Sequence, residues 1–404
     1  MKAVTWHGVG DIRLDEVPDP GISDPTDAVV RITTSAICGT DLHFVRGTMP
    51  GVKEGRVLGH EAVGEVVAVG DGVRNFSVGD RVVVPSTICC GSCSYCRAGY
   101  TAQCDHANPG GPRAGTAFYG GPEEAGGFDG LQAQYARIPF AHANLVALPA
   151  DISDGQAIPL SDIFPTAWFG AKLAEVRPGD TVAVFGCGPV GQFAILSAYL
   201  QGAGRVIAVD GIEDRLAIAR LQHAEVVDFN TEDPVAAIEE LTRGIGVDRV
   251  IDAVGVDAQR PRSGPAAEQA REQAEQFEQQ RQQVAPEQNP QGDLWVAGNA
   301  PAQALDWAVK AIAKAGTLGV IGVYPPAMTA FPIGAAMNKN LTIKAGNCNH
   351  RRHLPDLVAL VANGTVDPAR LLTEHEPLTD AVAAYEEFDR REPGWIKVAL
   401  NPAA

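Results

Sequence analysis

Two patterns of apolar and polar positions divide the chain. Over residues 1–158, short β-rich runs (1–8, 27–37, 62–70 and 80–85) are separated by Gly, Pro and Asp. These predict a β-rich, partly open barrel whose loops carry functional groups. From 159 to 346 the runs 181–186, 205–210, 225–230, 248–255, 316–323 and 341–346 are almost continuously apolar. Helix-period stretches at 189–202 and 213–222 separate the first three. Six such runs predict a parallel, doubly wound α/β sheet, buried on both faces by helices. Residues 347–404 hold two helical runs and a final strand, 395–400, expected to complete the first domain.

Two segments depart from both patterns. Residues 105–130 are rich in Gly and Pro and predict a long ordered loop. Residues 257–293 interrupt the α/β alternation with Gln, Glu, Ala and Arg, a helix-favouring composition. Ala267, Ala270, Ala274 and Phe277 form a thin stripe there that suits a surface helix.

Composition narrows the function. The 404 residues carry a net charge of −17, which disfavours nucleic acid as a partner. No run is apolar and long enough for a membrane span, and no signal core opens the chain, so a cytoplasmic protein is expected. Five of the eight cysteines cluster between Cys89 and Cys104. In a reducing compartment that clustering points to metal, not disulfides.

Three motifs carry chemistry. Cys38 is followed by Thr40, Asp41 and His43, and then by Gly59-His60-Glu61. A thiolate and an imidazole on neighbouring loops supply two of the three protein ligands of an open catalytic zinc site. Asp162, in the stretch Ser161-Asp162-Ile163-Phe164-Pro165-Thr166, offers a third, although an Asp there also suits a helix cap or turn. Cys90, Cys93, Cys96 and Cys104 can close a tetrahedral structural site on the loop 89–104, with Cys89 spare. Gly186, Gly188 and Gly191, with Pro189 and Val190 between, follow a strand and open a helix, which is the setting a pyrophosphate-binding turn requires. Asp210 ends the next strand, where a carboxylate accepts ribose hydroxyls and repels a 2′-phosphate, hence NAD. Arg215 reads either as a helix-surface charge or as a contact to the adenosine ribose.

In this order the motifs, together with Gly322-Val323-x-Pro325, resemble the zinc-dependent medium-chain alcohol dehydrogenases over nearly the whole chain. The Asp at 162, the loop 105–130 and the chain length look most like the branch containing glutathione-independent formaldehyde dehydrogenases. The resemblance implies a GroES-like catalytic domain (1–158), a Rossmann domain (159–346) with the insert 257–293, and a C-terminal return (347–404). It implies NAD, two zinc ions per subunit, an alcohol or aldehyde substrate and a homodimer or homotetramer. Cys38, His60 and Asp162 match the catalytic ligands, and Glu61 matches a carboxylate beside the metal. Thr40 and His43 match a proton relay. Thr166 and Val190 match positions on the nicotinamide side, and backbone at Ile321 and Val323 matches the groups holding its carboxamide. Lys397 falls where relatives place a basic residue near the pyrophosphate. Ser86 stands near a position that is aromatic in some relatives, which would leave a roomier pocket.

The sequence also departs from the family. Gly39 stands where some relatives carry Arg, and the insert matches no family pattern. Hydride transfer from an alcohol or aldehyde hydrate to NAD is the reading that follows, with the insert covering the adenine side. The alternatives are a secondary-alcohol or polyol dehydrogenase that exchanges its cofactor freely, and a catalytically silent NAD-binding redox sensor.

Overall fold

The computed structural model describes all residues except 109, 112–114, 288, 290–292 and 404. Parts of the loop 105–130 and of the insert therefore lie outside the described residues. The chain forms two compact units. The first comprises Met1–Pro165, Asn289–Trp295 and Asn347–Ala404, and the second comprises Thr166–Gln288 and Val296–Gly346.

The second unit holds one sheet of six parallel strands: Thr181–Phe185, Arg205–Asp210, Glu225–Asp228, Val247–Asp252, Ile312–Val320 and Thr342–Ala345. In chain order they lie 3-2-1-4-5-6, the arrangement whose reversal point binds a dinucleotide. Their central residues, such as Ala183, Ile207, Val250 and Leu318, are wholly buried, which explains the unbroken apolar runs. The last strand is an edge and is mostly exposed.

The insert contains two helices, Gly264–Glu272 and Ala274–Val284, broken at Gln273. The stripe predicted for a surface is mostly inside. Ala267, Ala270 and Phe277 are buried, and Ala270 and Phe277 pack with Ala300. Composition favoured helix, but only the small side chains, which allow close approach, reveal in hindsight that one face is covered.

The first unit is built on a mixed seven-stranded sheet and a three-stranded one. Strand Ala28–Ile37 pairs with Ala62–Val69, Tyr135–Ile138 and the C-terminal strand Val398–Asn401. The final strand is thus shorter than the sequence predicts, and Lys397 precedes it. The segment Asn289–Trp295 gives this unit Trp295, which is 6% exposed in a cluster with Val4, Phe44, Tyr385 and Phe388. Trp295 N donates to Asp389 (2.9 Å), whose other oxygen pairs with buried Arg46 (2.7 Å). No helix among the described residues is long and apolar enough to cross a membrane.

Candidate metal centres and nucleotide site

In the first unit, local structure brings Cys38, His60 and Asp162 together. Cys38 is the extended residue before helix Gly39–Val45. His60 precedes strand Ala62–Val69 and follows Gly59, whose φ is +89°. A methyl group at Gly59 would fall 2.4 Å from the Gln132 side chain, so both the backbone and the space demand glycine. Asp162 stands at a break between helices Asp154–Ser161 and Ile163–Leu173, and its side chain points to the other two donors. Ser161 fixes that approach: it accepts Ala62 N (3.0 Å) and donates to Val84 O, while Ser86 N donates to Ser161 O (3.0 Å).

The three donor atoms are buried and lie within 4.8 Å of one another. Cys38 Sγ is 3.8 Å, and His60 Nε2 3.5 Å, from Asp162 Oδ2. Ligands about 2.0–2.3 Å from a tetrahedral zinc stand about 3.3–3.8 Å apart, so the set fits that ion. His60 Nε2 is buried with no hydrogen-bond partner, as a ligand atom needs. Burial would push the His60 ring down, but Asp41 and Cys38 hold its pKa well above the usual range. Burial also opposes ionisation of Asp162, yet His350 and His60 hold it well below the carboxylate range. The cluster is therefore built to surround positive charge.

A second set of residues orients these donors, a role assigned to none of them from the sequence. Asp41 Oδ1 lies 3.0 Å from His60 Nδ1, a contact whose angle falls short of a hydrogen bond. Asp41 Oδ2 accepts Cys38 N (2.9 Å) and Gln132 Nε2 (3.2 Å). Tyr385 in turn donates to Gln132 Oε1 (2.8 Å). A carboxylate behind a ligating histidine selects its tautomer and raises its basicity. On the far side, Asp162 Oδ1 takes Ser86 Oγ (2.9 Å) and His350 Nε2 (2.7 Å). Ser86, read from the sequence as making the pocket roomier, is 4% exposed and hydrogen-bonds to Asp162. His350 comes from the C-terminal segment, so sequence distance concealed it. Tyr385→Phe strips buried Gln132 of one donor and is expected to cost about 1–3 kcal/mol in urea unfolding.

Glu61 and Lys397 occupy the centre of the same unit, both wholly buried. They form a close ion pair, and Lys397 Nζ also donates to Ile37 O (2.9 Å). Burial disfavours the ammonium, but Glu61 and Cys38 more than offset it and hold Lys397 above its ordinary pKa. The resemblance places Lys397 near a pyrophosphate. A fully buried ammonium committed to Glu61 and Ile37 does not suit that task. Thr40 lies in the first turn of helix Gly39–Val45, half-buried, and His43 is buried with Nδ1 2.7 Å from Thr48 Oγ1.

Cys90, Cys93, Cys96 and Cys104 form the second donor group, again within 4.8 Å. Cys93 and Cys104 sulfurs are 3.9 Å apart, close to the spacing around a tetrahedral zinc. Backbone N–H groups of Ser92, Cys93, Cys96, Cys90 and Ala107 point at the sulfurs from 3.2–3.5 Å. Burial opposes the Cys90 thiolate, but the Ser92 hydroxyl and the N–H groups of Ser92 and Cys93 lower its pKa to about 7. No disulfide links any of the eight cysteines, and Cys89 lies outside this donor group.

In the second unit, Gly186, Gly188, Pro189, Val190 and Gly191 make the turn into helix Pro189–Leu200. A methyl at Gly191 would sit 1.8 Å from Gly186 O, so the turn closes only on glycine. Asp210 accepts Cys187 N (2.7 Å), Gly211 N (2.7 Å) and Ile212 N (3.0 Å). About one of its roughly four acceptor positions is left for a ribose hydroxyl, fewer than the pair expected. Arg215 is no surface charge. Its side chain is 16% exposed, 3.9 Å from Asp210, and its Nη1 is 3.7 Å from where a Gly188 Cβ would stand. Thr166 opens the unit, in helix Ile163–Leu173. Ile321 N donates to Asp252 O (3.0 Å), and Val323 O accepts Val256 N (2.9 Å).

Comparison with known proteins agrees with this geometry. Residues 24–150 match the alcohol dehydrogenase GroES-like domain family, and residues 189–263 the zinc-binding dehydrogenase family. An uncharacterised zinc-type alcohol dehydrogenase-like protein of Bacillus subtilis is 36% identical over 100% of both chains. The solved alcohol dehydrogenase of Thermus sp. ATN1 superposes with a TM-score of 0.80 at 33% identity, covering 99% of each chain. A glutathione-independent formaldehyde dehydrogenase of Pseudomonas aeruginosa is 40% identical across 64% of this chain and 66% of its own.

Proposed function

Because the chain belongs to the zinc-type medium-chain alcohol dehydrogenases, we propose that it oxidises small aldehyde hydrates or alcohols with NAD, in the manner of a formaldehyde dehydrogenase or dismutase. The observation that carries the reading is the buried set Cys38, His60 and Asp162, three donors with spacing for one ion. Zinc bound there supplies Lewis-acid polarisation of a substrate oxygen, and NAD accepts hydride.

The chain's own residues do the rest. Asp41 holds His60 with Nε2 toward the ion, and Ser86 and His350 hold Asp162. Thr40 Oγ1 accepts the substrate hydroxyl proton as it releases its own, and His43, with Nδ1 held by Thr48, is the outward member of the relay. Lys397 holds the Glu61 carboxyl group in place behind the donors. Gly186–Gly191 and Arg215 hold the diphosphate, and Asp210 a ribose hydroxyl. The four-cysteine group takes a second zinc that braces its loop.

The formaldehyde reading draws on an oxygen ligand at position 162, a harder donor than sulfur, which leaves the ion more electrophilic. It draws also on the insert, whose two helices are a second departure from the ordinary dehydrogenase pattern. Self-association is proposed through the edge strand Thr342–Ala345, where Ile343 is 38% exposed, and the preceding helix Ile333–Asn338, where Ile333 and Met337 are 59% and 73% exposed. A substrate panel tests the function. With formaldehyde and no added NAD, purified protein should form methanol and formate together. Turnover only with added NAD and secondary alcohols or polyols would replace this reading by the exchanging dehydrogenase. No turnover with both zinc ions present would leave the redox sensor.

A further inference from the structure

One buried carboxylate outside the metal centres ties two loops together at the C-terminal edge of the parallel sheet. Asp252 ends strand Val247–Asp252 and is 0% exposed. Its Oδ1 accepts Val254 N (2.9 Å) and Gly255 N (3.3 Å), and its Oδ2 accepts the Tyr324 hydroxyl (2.7 Å). Its main-chain oxygen accepts Ile321 N (3.0 Å) and Gly322 N (2.9 Å). One residue thus holds both the loop 253–256 and the turn 321–324.

Both loops are tightly fitted. Gly255 has φ +71°, and a methyl there would lie 2.4 Å from Val323 O. A methyl at Gly186, in the glycine turn, would come within 2.7 Å of Val254 Cγ2. The Asp252 brace therefore runs from the phosphate turn on one side to residues 321–323 on the other. In a sheet of order 3-2-1-4-5-6, Asp210 and the glycine turn claim the adenosine half and the diphosphate. The other half of a dinucleotide then falls to the ends of strands Val247–Asp252 and Ile312–Val320, where the brace lies. Among the described residues, the Ile321 carbonyl and the Val323 N–H have no hydrogen-bond partner in the chain. An acceptor and a donor two residues apart complement a primary amide, which offers both.

From this we infer that Asp252 and Tyr324 are positioning residues that hold the 321–323 backbone in register for the nicotinamide carboxamide of bound NAD. Neither side chain touches the cofactor. They act by fixing the turn that does. The inference rests on the nucleotide-binding part of the proposed function and not on its substrate.

The test is Tyr324→Phe in the full-length, zinc-loaded protein, stripped of nucleotide and titrated with NADH and with ADP-ribose, which has no nicotinamide. NADH should bind about tenfold more weakly, reflecting the loss of one hydrogen bond to a charged group. ADP-ribose should bind within about twofold of the parent protein, a change too small for one lost hydrogen bond. Asp252→Asn should show the same selectivity. Equal weakening of both ligands would make the pair a general prop of the fold and overturn the inference. So would no change in NADH binding. Neither readout needs turnover, so a protein that fails to oxidise alcohols is still tested.

Discussion

Replacing Asp162 by Ala is expected to slow turnover about a thousandfold and lower zinc content from about two ions per chain to about one. Asp162 is 8% exposed and supplies the only oxygen donor of its group. Its loss leaves Cys38 and His60, too few protein ligands for an open catalytic zinc. If polarisation of the substrate oxygen supplies ~4 kcal/mol, its loss slows turnover by about three orders of magnitude. The four-cysteine group lies on a different loop and should keep its ion, so the remaining zinc serves as an internal control. Asp162→Cys preserves ligand charge and count and should retain both ions. Metal analysis and turnover on the three proteins decide the matter. An Asp162→Ala protein that keeps two zinc ions and full rate removes Asp162 from the ligand set.

That Cys38, His60 and the four-cysteine loop were legible in the sequence as candidate donors, and the residues supporting them were not, has a physical explanation. Ligand residues are chemically unusual: a Cys before Gly-Thr-Asp, a His after Gly, four cysteines on one loop. Their spacing announces them because loops adjacent in sequence fold to adjacent places. The supports are ordinary polar residues recruited over long separations. Gln132 reaches Asp41, Tyr385 reaches Gln132, and His350 reaches Asp162. None sits in a periodic pattern, and only the completed sheet, with its last strand Val398–Asn401 beside Ala28–Ile37, brings them near. The Rossmann sheet was read nearly strand for strand, because burial on both faces writes each strand as an apolar run. The insert was harder. Its exposed Gln and Glu dominate the composition, while the buried face consists of alanines and one phenylalanine.

Lys397 shows the same limit most sharply, and it sets the second large expectation. Resemblance alone gave its side chain to a pyrophosphate, whereas the fold closes it against Glu61 with no exposure for either side chain. Replacing Lys397 by Met should destabilise the protein by about 3–5 kcal/mol, because Glu61 would remain buried without its ion-pair partner. Removing both charges should be far milder. A Lys397→Met, Glu61→Leu protein replaces the pair by apolar groups of similar volume, which is often nearly neutral. Denaturant unfolding of the parent, both single variants and the double variant yields the coupling directly. Additive losses would mean that the two groups do not depend on each other. If they are coupled as the distances imply, the double variant unfolds near the parent's midpoint yet turns over slowly. Stability would then recover while the fixed carboxylate behind Cys38 and His60 stays absent, and the two effects separate a structural ion pair from one that also serves the site.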